Sequence, residues 1–144
     1  CIAHPVIIFY KQYQEYSAQM DLTKLSHLKD RFEDILSNIP TRDQRIIYLL
    51  LVNTAARLKR SGLTQVLKQT MDLNQLAVQK GFIIDNEVIT PRSFANIINV
   101  ACQQKKFSFA QEFLDGYSKF LPVRMQKDGI KWGQLIRASS KSRR

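Results

Sequence analysis

Apolar side chains recur every three or four residues along most of this chain, in successive stretches divided by proline, glycine or short polar breaks. An α-helix turns once in about 3.6 residues, so this spacing gathers the apolar positions on one face, and a rod with such a face must lay it against another. Val6, Phe9, Tyr10, Tyr13 and Tyr16 mark a first helix over residues 5–19, with Pro5 in its opening turn. Leu25, Leu28, Phe32, Ile35 and Ile39 mark a second, stopped by Pro40. Thr41 and Gln44 have capping-box spacing and open a third, which runs to Arg60. Its apolar residues, Ile46 through Leu58, cover nearly every face, which predicts the most buried helix of the chain. Gly62 is placed to close it in a left-handed cap.

A fourth helix carries Leu63, Val66, Leu67, Leu73, Leu76 and Ala77 and ends at Gly81. Residues 82–89 suit a short hairpin around Asp85 and Asn86 or a packed connector. The connector is preferred, because one hairpin has no sheet to join. Thr90 and Pro91 start a fifth helix, with Phe94, Ile97, Ile98 and Ala101 on its inner face. A second capping box, Ser108 with Gln111, opens a sixth that buries Ala110, Phe113, Leu114 and Tyr117 and ends at Pro122. Ile130, Trp132, Leu135 and Ile136 begin a seventh, and residues 139–144 read as a frayed basic tail. The expected fold is all-α, with six to seven helices in antiparallel hairpins stacked as an α-solenoid. The expected organisation is one domain over residues 1–138, in units of about 5–40, 41–89 and 90–122 with a partial unit at 123–138.

Composition agrees with a globular chain: 44% of the 144 residues are hydrophobic, and no run is long enough to cross a membrane. The net charge of +10 is unevenly placed. From residue 119 onward eight basic residues face Asp128 alone, while residues 1–118 hold 14 basic and 11 acidic side chains. A basic tail holds phosphate without specificity, so the charge does not by itself make a nucleic-acid-binding face. With Cys1 in place of methionine, a fragment or a processed product is the expectation. A lipoprotein's mature start is the other reading, disfavoured because Val6, Ile7, Ile8 and Phe9 follow where a polar tether belongs. Cys1 and Cys102 with His4 and His27 have no metal-ligand spacing and form no disulfide framework. Cys102, in an apolar helix, reads as a small core residue, and a reducing cytoplasm is the expected location.

Shifted by 46 residues, the third helix lies on the fifth: Tyr48 meets Phe94, Leu51 meets Ile97, Val52 meets Ile98, Asn53 meets Asn99, Ala55 meets Ala101 and Lys59 meets Lys105. Amphipathic helices share apolar positions readily; the matched aromatic, Asn and Ala positions favour an irregular repeat. Phe94, Ile97, Ala110, Leu114 and Pro122 stand at the spacings of a tetratricopeptide repeat, which residues 93–122 resemble. Ile98 and Tyr117 depart from that pattern, which prefers small residues there. The stretches LLLVNTAARLKRSG and ITPRSFANIINVACQQKKFSFAQEFLDGYSKFLP also resemble an uncharacterised bacterial family of long helical-repeat proteins. The resemblance implies paired helices stacked into one continuous core, with a sticky edge where the array ends near Trp132.

No catalytic arrangement stands out. Glu33, Asp34, Asp85, Glu87 and Asp115 pair with no histidine, no serine sits in a nucleophile elbow, and the five glycines are scattered. Tyr10, Tyr13 and Tyr16 read as packing between helices rather than a stacking platform. The chain is therefore expected to be no enzyme and to need no cofactor or metal. In tetratricopeptide stacks the first helix of each pair lines a concave face that contacts extended peptides. Asn99 stands where peptide-binding members carry asparagine, but Ala95 replaces the lysine they place four residues earlier. That correspondence makes Asn53, Arg57, Asn96, Asn99 and Gln103 the expected contacts for a protein or peptide partner. The amides of Asn53 and Asn99 either grip a peptide backbone through donor and acceptor or simply bond neighbouring turns. The alternative is a pentatricopeptide-like RNA-binding module, which the irregular spacing and near-neutral body disfavour. An enzyme using this body as scaffold would need catalytic residues from elsewhere.

Overall fold

The computed structural model describes residues 4–141 and is all-α. Seven α-helices lie among the described residues: α1 (Pro5–Ser17), α2 (Leu22–Ile35), α3 (Thr41–Arg60), α4 (Val66–Lys80), α5 (Pro91–Gln103), α6 (Phe107–Tyr117) and α7 (Gly129–Lys141). The chain divides into two compact units, Cys1–Phe82 and Ile83–Arg144. No helix is long and apolar enough to cross a membrane.

In the N-terminal unit, local chemistry sets the helix ends. His4 caps α1, its Nδ1 accepting from the Val6 N–H at 3.2 Å, with Pro5 at the first helical position. Asp21 caps α2, its Oδ1 accepting from the Lys24 N–H at 2.8 Å. The expected capping box at the start of α3 does not form. Thr41 is already inside the helix, Pro40 takes the cap position, and Gln44 turns the other way. Its Nε2 donates to the carbonyls of Leu36 (2.8 Å) and Ile39 (3.3 Å), so the amide satisfies free acceptors at the end of α2 instead of free donors at the start of α3. At the other end of α3 the Leu63 N–H reaches the Leu58 carbonyl and the Gly62 N–H reaches Lys59, with Gly62 at φ +105°. This is the paired bond set of a left-handed helix stop, as the glycine foretold.

The core of this unit is built by Phe9 of α1, Leu25, Leu28 and Phe32 of α2, Ile47, Leu51 and Ala55 of α3, and Leu73 and Ala77 of α4, all fully buried. α2 packs against α1, α3 and α4, and α3 against α4. Phe82 closes the unit, its ring edge-on to Phe32 at 6.0 Å and to Tyr48 at 5.7 Å. Tyr48 is 1% exposed, and its hydroxyl donates to Asn74 Oδ1 at 2.6 Å, so the buried phenol has its partner. Burial pushes the Tyr48 phenol above its ordinary range. α3 is not wrapped in protein, however. Ile46 and Leu49 are 42% and 40% exposed, so the all-round apolar pattern describes one buried face and one apolar row open to solvent.

The C-terminal unit begins with the connector. Asp85 and Val88 exchange both backbone hydrogen bonds across a two-residue turn whose central residues, Asn86 and Glu87, are left-handed (φ 51° and 65°). The segment is thus both a packed connector and a minimal hairpin turn, with Ile83 and Ile89 buried. The Ile89 N–H donates to the Phe120 carbonyl at 2.8 Å. Thr90 then caps α5, its Oγ1 accepting from Ser93 N–H with Pro91 behind it, as expected. α6 starts at Phe107 without a side-chain cap, so Ser108 lies inside the helix and the second capping box also fails. Gln111 instead donates along the helix to Asp115. Two 3₁₀ stretches, Ser118–Phe120 and Val123–Asp128, lead into α7. α7 continues to Lys141, so the tail expected to fray from residue 139 is helical through that point. Phe94 and Phe113 (5.1 Å between ring centres), Trp132 beside Phe94 (6.1 Å) and Tyr117 stacked on Phe113 (4.9 Å) form the aromatic part of this core. Ile97, Ile98, Ala101 and Ala110 fill it, and α7 packs on both α5 and α6.

Candidate functional site

Two helices, α3 in the first unit and α5 in the second, carry the residues expected at the site. On α3 one row is Arg42, Ile46, Leu49, Asn53, Arg57 and Arg60, all exposed and three or four residues apart. A helical turn brings such positions over one another, so the row is one stripe along the axis. The opposite face of α3 is buried, through Ile47, Tyr48, Leu51, Val52, Ala55 and Leu58. On α5 the exposed positions at helical spacing are Arg92, Asn99 and Gln103, with Asn96 half-buried beside them.

These rows contain all five residues expected at the site. Asn53 and Arg57 fall on one helix of the first unit, and Asn96, Asn99 and Gln103 on one helix of the second. Among the described residues the side chains of Asn53 and Asn99 make no hydrogen bond to a neighbouring turn. Of the matched positions, Leu51 with Ile97, Ala55 with Ala101 and Tyr48 with Phe94 are buried and Asn53 with Asn99 exposed, whereas Lys59 is half-buried within α3 and Lys105 is exposed beyond the end of α5.

Arg57 is held upright. One guanidinium nitrogen donates to the Tyr13 hydroxyl at 3.0 Å and to Thr54 Oγ1 at 3.2 Å. The Tyr13 and Thr54 oxygens are themselves 3.0 Å apart, and Thr54 donates to the Leu50 carbonyl at 2.8 Å. Tyr13 of α1 therefore flanks the row at Arg57, and Tyr13 and Tyr16 pack between helices as their spacing indicated. Tyr16 lies against His27, with Lys24 over its ring at 6.0 Å. Tyr10 has its phenol pushed up by partial burial and, secondarily, by the Asp43 carboxylate. Among the described residues no carboxylate comes within ion-pairing distance of Arg42, Arg57 or Arg60. The ion pairs of this unit lie elsewhere: Lys29, mostly buried, reaches Glu33 at 3.5 Å and Asp72 at 3.4 Å.

Sequence reading missed Ile46 and Leu49, having assigned both to the core. The signal was present: a helix apolar on every face has more apolar surface than one side of a two-layer packing covers. In the C-terminal unit a shallow cleft of about 300 Å³ opens between the start of α6 and the end of α7, with Phe107, Gln111, Ile136, Arg137 and Lys141 in its wall. It is too open to exclude water from a reacting group. Cys102 is half-buried rather than a core residue; burial pushes its thiol up, and a hydrogen bond with Ser139 acts in the opposite sense. Cys1 lies outside the described residues. Among the described residues no three His, Cys, Asp or Glu side chains come together. No protein-family model, curated protein or solved structure matches the chain.

Proposed function

We propose that this chain is a non-catalytic interaction module, with a protein or peptide docking along the outward row of α3 and, in the other unit, along that of α5. The observation that carries the reading is the pair Ile46 and Leu49. Two large aliphatic side chains stand about 40% exposed in the middle of a helix whose other face is fully engaged, and covering them releases about 25 cal/mol for each Å² of apolar surface removed from water. Asn53 and Asn99, with unengaged amides, supply paired donors and acceptors to a partner's backbone. The reading includes a layered α-solenoid in which the first helix of each hairpin lines the binding face. Within the N-terminal unit it is supported by the packing of α2 on α1, α3 and α4.

The test is selection of random-sequence display peptides against the full chain, repeated with Ile46→Ser/Leu49→Ser and with Asn53→Ala/Asn99→Ala. Enriched peptides are expected to lose binding to both variants while the melting temperature of the asparagine pair stays close to that of the parent. Binding that survives both pairs, or asparagine variants that lose stability and binding in step, would refute the docking role.

A further inference from the structure

The α3 row has a chemical direction as well as an apolar centre. Arg42 stands one turn before Ile46, while Asn53, Arg57 and Arg60 follow Leu49, and no acidic residue belongs to the row. At a rise of about 1.5 Å per residue, Arg42 and Arg57 stand about 22 Å apart along the axis, with the apolar pair between them. Among the described residues the Arg57 guanidinium bonds only the neutral oxygens of Tyr13 and Thr54, which fix its position without cancelling its charge.

Resting on the interaction reading above, we infer that the occupant of the α3 row is an acidic segment with large apolar side chains at its centre and carboxylates on both sides. Charge complementarity decides this. A basic segment would face three unpaired guanidinium groups, and a neutral apolar one would cover Ile46 and Leu49 but leave those groups without counter-charge. Carboxylates meet guanidinium in two-pronged hydrogen bonds, and a donor already held in place loses less freedom on binding. About seven extended residues span the distance from Arg42 to Arg57.

The experiment uses three fluorescein-labelled synthetic 12-residue probes and the full chain. The first has a central Leu-Phe pair flanked by Asp and Glu, the second the same pair flanked by Lys, and the third the acidic flanks around Ala-Ala. Fluorescence anisotropy is expected to show the first bound at least tenfold more tightly than the others. Arg42→Glu/Arg60→Glu, whose side chains make no hydrogen bond or ion pair among the described residues, is expected to weaken the first probe at least tenfold and strengthen the second. Leu49→Ala is expected to weaken the first without changing its salt dependence. Arg124→Glu/Lys127→Glu removes the same charge elsewhere and is expected to leave it unchanged. If the lysine-flanked probe binds as tightly as the acidic one, or both charge-reversed pairs weaken the acidic probe equally, the acidic-partner inference is wrong. If display-selected peptides of other character bind through Ile46 and Leu49 while the acidic probe does not, the docking role stands and only the inference falls. If neither probes nor selected peptides bind, both fall.

Discussion

Removing the Tyr48 hydroxyl tests how the N-terminal core is held. The phenol oxygen and Asn74 form a 2.6 Å bond where Asn74 is 0% and Tyr48 1% exposed, and the Asn74 Nδ2 already has no partner. Tyr48→Phe takes away a net contribution of about 1 kcal/mol and strands the buried Asn74 carbonyl, adding about 1–3 kcal/mol of uncompensated desolvation. A loss of about 2–3 kcal/mol is expected. Asn74→Leu alone strands the hydroxyl instead and loses about 2 kcal/mol. The double variant strands nothing and replaces a half-satisfied amide with an apolar group of the same branching, so it is expected within about 1 kcal/mol of the parent. The pair should therefore be non-additive by at least about 3 kcal/mol. Urea denaturation followed by circular dichroism at 222 nm measures this, with the slope held constant across the set. The same pair predicts a pH dependence. Burial raises the folded phenol above the unfolded value, so this stabilisation is complete below about pH 10 and declines as alkaline pH ionises the unfolded tyrosine first. The parent should lose more stability above pH 10 than Tyr48→Phe does. Additive single and double variants, or a Tyr48→Phe loss below about 0.5 kcal/mol, would show that the bond does not hold the core.

Glu87 and Lys105 occupy left-handed backbone (φ 65° and 59°), so Glu87→Gly or Lys105→Gly is expected to raise stability by about 0.5–1 kcal/mol, read as an increase in urea midpoint. Gly62→Ala is expected to lose about 1 kcal/mol despite open space around the glycine, because its φ of +105° strains any L side chain. Hydrogen exchange should show α7 opening before α3, since Ile130 is 73% exposed and α7 buries only Gly133 and Ile136, whereas α3 buries seven residues. Equal protection of the two helices would contradict this.

Helix existence was legible from apolar spacing, because burial demands a stripe and a stripe demands a period. Helix ends were legible where one residue suffices, as at Thr90–Pro91 and Gly62. They were not where two partners compete for one side chain: Gln44 has the spacing for a capping box, but the orphan carbonyls of Leu36 and Ile39 are within its reach and invisible to a local pattern. Asn53, Arg57 and Asn99 were singled out through the repeat and the tetratricopeptide correspondence; the structure places all three on exposed helix positions, where polar residues on an otherwise apolar helix fall. Ile46 and Leu49 escaped because apolar residues say only that burial is favourable, not that a neighbour of this chain provides it. The tyrosine bonds to Thr54 and Asn74 link residues 41 and 26 positions apart, a separation no periodicity encodes.

The bond from the Ile89 N–H to the Phe120 carbonyl acts as a clasp on the α5–α6 hairpin. It joins the strand of chain entering the first helix to the short 3₁₀ turn leaving the second, closing a loop of about thirty residues with main-chain atoms alone. Such a fastening is indifferent to the identities of residues 89 and 120, so side-chain drift there leaves it intact. Only proline at position 89, which removes the donor, would undo it. The hairpin would then be expected to splay from its open end, nearest the Asp85–Val88 turn, before any of its core aromatics are disturbed.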